Sequence, residues 1–155
     1  MVLAAVKAAH VLAVVLWVGG MAFAHFFLRP SLALLEPPQR VRLMHAVLGR
    51  FLRAVQWAIA LILLSGMWMI GGAAHLAARA GGTFHWPLDW LVMTVVGLLM
   101  IALFGHIRFV LYRRLDRAVQ AADLAAGGLV LADIRRWVGV NLALGLALIA
   151  GVLIY

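Results

Sequence analysis

Four long stretches of the chain are almost wholly apolar: Ala8 to Leu28, Trp57 to Ala74, Trp90 to Ile107 and Trp137 to Tyr155. Polar residues gather between them. A helix that crosses a bilayer needs about 20 mainly apolar residues, so each stretch is read as one membrane span. Too little chain remains for a soluble domain. The pattern therefore predicts a single domain over residues 1–155, an all-α integral membrane fold built as a four-transmembrane-helix bundle. Ala22, Phe23 and Ala24 resemble a small-residue cleavage site, yet the apolar run is long for a signal peptide and continues past them. The first stretch is accordingly kept as a helix.

Composition agrees with lipid as the solvent. Of 155 residues 67% are hydrophobic and 12% charged, against roughly half and a quarter in a soluble domain. The formal charge of +8 belongs to arginines that flank the apolar stretches, so it marks topology and lipid headgroup contacts rather than nucleic acid. Arg29, Arg40, Arg42, Arg50 and Arg53 surround the first connection, and Arg108, Arg113, Arg114, Arg117, Arg135 and Arg136 the third. The second connection has only Arg79 and the N-terminus only Lys7. By the positive-inside rule the first and third connections face the cytoplasm and both termini are non-cytoplasmic. This is the pattern of a multi-pass protein of the bacterial inner (cytoplasmic) membrane.

The connections carry local signals of their own. Pro37 and Pro38 open a helix whose early turns, within Pro37 to Val55, are expected to lie at the interface before entering the second span. The outer connection, about Gly71 to Asp89, holds His75, His85, Trp86 and Trp90, and interfacial tryptophan suggests that it crosses the bundle mouth. The third, Arg113 to Asp133, reads as two short amphipathic segments broken at Gly127 and Gly128. Gly97, Gly105, Gly145 and Gly151 give small helix faces suited to close helix association, and a homodimer is the simplest closed assembly.

Candidate chemistry sits on the inward faces. With His10 set at zero and 100° per residue, Trp17 falls near −20°, Met21 near +20°, and Lys7 and His25 near +60°. Ionisable groups within spans face the bundle interior, so this stripe is predicted to point inward, with Gly19 and Gly20 allowing close approach. His25, Gln56, His106 and Asn141 lie near the cytoplasmic ends of four different helices, and Arg53 and Arg108 border that level. There is no cysteine, which leaves His, Met, carboxylate and carbonyl groups as the available metal ligands.

Three readings compete. The polar groups hydrogen-bond one another and only specify packing; or imidazoles hold a haem; or His and Met hold copper, since thioether and imidazole suit Cu(I). Met21 and His25 form an i, i+4 pair. Methionine is also a routine filler of apolar cores.

Lys7, His10, Ala13, Trp17, Gly19 and Gly20 resemble the opening helix of the copper-resistance D family. A related pattern opens a small haem-binding bacterial membrane protein that acts as a protoporphyrinogen oxidase. Arg50 and Arg53, His106, and Arg136 with Asn141 extend the resemblance along the chain. Met93 and Thr94 stand where the oxidase family has a lysine, and Leu142 where it has an acid, which argues against that activity. The copper-resistance resemblance is the closer and implies copper handling on a four-helix scaffold.

The preferred expectation is a haem b-binding membrane protein serving redox chemistry or electron transfer, with a quinone or redox protein as partner. His10, His25 and His106 are its candidate axial ligands, Arg53 and Arg108 pair the propionates, and Trp17 and Asn141 line the site. The alternative is a copper-binding or copper-transporting protein that passes metal from His75 and His85 by His10 and Met21 toward His25, with His106 a further ligand. A third reading is an accessory subunit without a metal.

Overall fold

A computed structural model describes residues 1–154, which are almost entirely helical and contain no strand among the described residues. Four helices are long and apolar enough to cross a membrane: α1 (Val2–Leu34), α2 (Pro37–Arg79), α3 (Leu88–Gln120) and α4 (Leu124–Ile154). The chain is thus a multi-pass four-helix membrane protein. Apolar side chains such as Leu12, Val15, Leu98 and Leu99 remain exposed on the outside of the bundle, as expected where lipid takes the place of a second layer of protein.

Each helix is longer than the apolar stretch that predicts it. The 43 residues of α2 run about 64 Å at 1.5 Å per residue, roughly twice the ~30 Å hydrocarbon core. The segment from Pro37 to Val55 is the opening part of this helix, as its proline pair predicts. It continues in one piece into the span, opened by a capping box in which Gln39 Oε1 accepts the backbone N–H of Glu36 at 3.3 Å. Its apolar stripe, Val41, Leu48, Leu52 and Val55, is buried in the protein core. Protein contacts thus cover the apolar side of these early turns.

The other connections differ from expectation for equally local reasons. The outer helix end lies at Arg79, so Gly71, Gly72 and His75 belong to α2, and the connection shortens to residues 80–87. The break between α3 and α4 falls at Ala121–Asp123 rather than at Gly127 and Gly128. There Ala122 takes the left-handed conformation, with φ of 55°, and the Asp123 N–H donates to the carbonyl of Ala118 at 2.9 Å, closing a Schellman-type end. Asp123 then caps α4 by accepting the Ala126 N–H at 3.0 Å. Gly127 lies inside α4, where a Cβ would stand 2.9 Å from Val41 Cγ1.

Small residues mark the seams elsewhere. Phe51 of α2 covers Gly20 of α1. Gly145 of α4 faces Val18 of α1 and Met100 of α3, with 3.0 Å between its notional Cβ and each. At the arginine-rich end, Tyr112 of α3 covers Gly49 of α2. These contacts put Trp17, Val18, Met21, Leu52, Met100, Phe104 and Leu142 in one continuous core.

Candidate functional site

Along α1 the predicted inward stripe is only partly inward. Trp17 and Met21 are 4% and 2% exposed, His10 is half-buried, and Lys7 is exposed. Gly19 meets nothing, whereas Gly20 is the close-contact glycine. Two glycines in a row cannot share one helix face, and the seam with Phe51 selects the second.

His10 is fixed from the neighbouring helix. Its Nδ1 lies 2.8 Å from Ser65 Oγ, and the Ser65 hydroxyl is directed at the Leu61 and Ile62 carbonyls of its own helix. With the hydroxyl proton used there, Ser65 Oγ is the acceptor and His10 Nδ1–H the donor. His10 Nε2 then keeps its lone pair. Gly66, beside Ser65, leaves the space next to this ring open, since even a Cβ there would stay 3.7 Å from His10 Cε1.

His25 and His106 are not brought together. His25 lies in a π-helical turn, Ala24–Leu28, which departs from the 3.6-residue register used to place it on the His10 stripe. Its ring faces Gly139 of α4, 3.6 Å from that residue's notional Cβ. His106 directly precedes a second π turn, Ile107–Leu111, and meets Trp137 edge-on with ring centres 5.4 Å apart. Trp137 and Gly139 point about 200° apart around α4, so that helix stands between the two imidazoles. Gln56 is exposed and, with Gly105 and Phe109, lines a shallow gap between α2 and α3. The four-helix polar layer therefore does not assemble as one site, and no group of three His, Asp or Glu residues suited to a metal exists among the described residues.

Among the described residues two buried polar side-chain atoms have no hydrogen-bond partner, Asn141 Oδ1 and Arg108 Nε. Asn141 is 1% exposed and stands one turn from Gly145 on the same face of α4. Met21 stands three residues on from Val18 in α1. Because Val18 meets Gly145 and the helices are antiparallel, Met21 and Asn141 share a level in the core. Trp17, edge-on to Phe104 at 6.1 Å, lies between that level and His10. Arg108 rests over Tyr112 at 5.4 Å, while Arg53 donates at 3.1 Å to the carbonyl of Gly49, the glycine that Tyr112 covers.

A polar cluster that the sequence did not single out occupies the arginine-rich end. His45 Nε2 pairs with Asp116 Oδ1 at 2.8 Å, Gln120 Nε2 donates to Asp116 Oδ2 at 2.9 Å, and the His45 ring stacks on Tyr112 at 5.4 Å. His45 is a bridge between α2 and α3. The visible signal was Asp116, the single acid among Arg108, Arg113, Arg114 and Arg117.

Comparison with known families gives one match. The family model described as Copper resistance protein D covers residues 45–154, more than two thirds of the chain and all of α3. No curated protein and no solved structure matches.

Proposed function

The chain belongs to the copper resistance protein D family, and from that premise we propose that it moves copper, as cargo, through the core of the four-helix bundle. His10 is the imidazole station in the outer half, and Met21 is the thioether station near the middle. The two lie eleven residues apart on one helix, roughly 16 Å, so they act in succession rather than as one coordination shell. Membership favours this copper reading over the haem b expectation. The separation of His25 and His106 by α4 favours it too.

The observation that carries the proposal is the hydrogen bond from His10 Nδ1 to Ser65. Metal-binding imidazoles commonly donate their second nitrogen to an oxygen, which fixes the ring and its tautomer. Such a bond leaves His10 Nε2 aimed and unprotonated. At the next level the Met21 sulfur offers the soft donor that Cu(I) prefers, and the unpartnered Asn141 Oδ1 supplies an oxygen whose burial costs about 1–3 kcal/mol when nothing pairs it. A cation there would compensate the buried acceptor. Trp17 closes the way between the stations, and passage requires its ring to move.

The family match begins at residue 45, so the roles of His10 and Met21 rest on geometry and not on membership. Cu(I) titration of the purified protein tests them. Wild type should bind copper and remain colourless in the Soret region. His10→Ala and Met21→Leu should each lose binding, while His85→Ala, in the exposed connection, should retain it. Full binding by both α1 variants would overturn the proposal, as would wild type that purifies with stoichiometric haem and no affinity for copper.

A further inference from the structure

Beside the arginine-rich end of the bundle, the end of α1, the start of α2 and the start of α4 enclose a groove of about 850 Å³. Its wall is mostly apolar, with Leu32, Val41, Leu48 and Ile134 buried against it. Small residues, Ala24, Ala125, Gly128 and Ala132, keep it wide. Its charged lining consists of Arg29, Arg40 and Arg135, and no carboxylate lines it. Arg40 is occupied: its Nε donates to the Leu35 carbonyl at 2.6 Å and its Nη2 to the Ala33 carbonyl at 3.1 Å. Arg29 and Arg135 make no ion pair among the described residues, where His45 with Asp116 is the only one.

An apolar channel with two uncompensated guanidiniums matches a molecule that carries a hydrocarbon chain and an anionic head. Both properties are needed. A free phosphate would leave the apolar wall wet, and a neutral lipid would leave the arginines unpaired. Basic pockets between transmembrane helices at headgroup depth are suited to anionic lipid heads, and Arg29 directly follows the predicted end of the first span. We propose that this groove is a specific site for one anionic phospholipid, whose phosphate pairs with Arg29 and Arg135 and whose acyl chain lies along Leu32, Leu48 and Ile134. The site is separate from the copper stations and does not depend on them. A lipid there would join α1, α2 and α4 where α1 ends and the next helix begins.

Lipid retention measured by native mass spectrometry tests the inference. Wild-type protein is reconstituted in vesicles of equal phosphatidylglycerol and phosphatidylcholine, then extracted in mild detergent. It should carry one phosphatidylglycerol per chain in preference to phosphatidylcholine. Arg29→Gln and Arg135→Gln should each weaken the preference about fivefold, as expected for one basic residue near an anionic headgroup, whereas the exposed Arg114→Gln should leave it unchanged. Gly128→Leu keeps every charge and fills the groove, and it should abolish retention. That variant remains informative if an arginine variant fails to fold. Equal retention of the two lipids, displacement of the bound lipid by inorganic phosphate, or undiminished retention by Gly128→Leu would each overturn the proposal.

Discussion

Gly145 is the point at which three helices meet, and its substitution gives the sharpest test of the packing. A methyl group there would stand 3.0 Å from both Met100 Cε and Val18 Cγ2, against about 3.5–4.0 Å for a comfortable carbon contact. Met100 ends in a flexible thioether and can turn away. Val18 is β-branched with a stiff χ1, so α1 and α4 must part by several tenths of an ångström. Overpacking of this kind costs about 1–3 kcal/mol, from which up to ~1 kcal/mol is recovered because Ala is a better helix former than Gly. Gly145→Ala should therefore lose about 0–2 kcal/mol, and Gly145→Leu should fall at or beyond the upper end of that overpacking range. Gly151→Ala, where no described atom lies within 4 Å, should gain up to ~1 kcal/mol from the same propensity, so the two variants should differ by the overpacking cost of about 1–3 kcal/mol. Unfolding in mixed micelles against rising SDS fraction, followed by circular dichroism, measures all three. Adding Val18→Ala removes the obstructing methyls, so the double variant should show a coupling of about 1 kcal/mol in favour of the pair. If Gly145→Ala is no worse than Gly151→Ala, or if Val18→Ala gives no relief, the three-helix contact at this level is wrong.

Further expectations follow from other contacts. Asp116→Ala removes the acceptor shared by His45 and Gln120 and should cost about 1 kcal/mol, a modest figure because the group is partly solvated; the same micelle titration reads it, and an unchanged midpoint would mean that the pair contributes nothing. Cysteine introduced at Gln120 should react with an impermeant reagent only from the cytoplasmic side, as the arginine asymmetry requires, and labelling from the opposite side would reverse the topology. Gly97, Gly105 and Gly151 meet nothing within 4 Å and leave small faces free for a second copy. A detergent-corrected mass of two chains that reverts to one in Gly105→Leu would support a homodimer, whereas a single chain at every concentration would exclude it.

The spans were legible because hydropathy over about twenty residues reports the medium directly, and Trp57, Trp90 and Trp137 mark three of the apolar boundaries. Helix continuity was not, since hydropathy falls where a helix leaves lipid although the helix itself does not end. The stretch from Gly71 to Arg79 shows this: its glycines and falling hydropathy read as a connection, yet it continues α2, whereas Pro37 to Val55 was legible as helix running into the second span. Gly127 and Gly128 read as a break because glycine is ambiguous between loop and close packing, and the partner that resolves it, Val41, is far away in sequence. For the candidate site, the inward placement of Trp17 and Met21 followed from a helical wheel, and Asn141 was singled out by its depth along the fourth span. The wheel failed at His25, where a π turn departs from ideal periodicity. His45 was missed because its importance lies entirely in Asp116, 71 residues on.

The reach of that last pair bears on how the protein is made. Several contacts that close the arginine-rich half of α2 are contributed by residues synthesised long after it: Tyr112, Asp116 and Gly127 meet Gly49, His45 and Val41, whereas the Phe51 contact with Gly20 of α1 needs no later helix. α1 and α2 can pair at Gly20 with Phe51 and at His10 with Ser65 as soon as both have entered the bilayer, but the end of α2 that holds His45 and Gly49 is completed by two later helices. Until α4 is made, Val41 lacks its contact with Gly127. Part of the apolar stripe of α2 is thus completed only by the last helix to be made, which makes α4 a closing element of the bundle as well as a span.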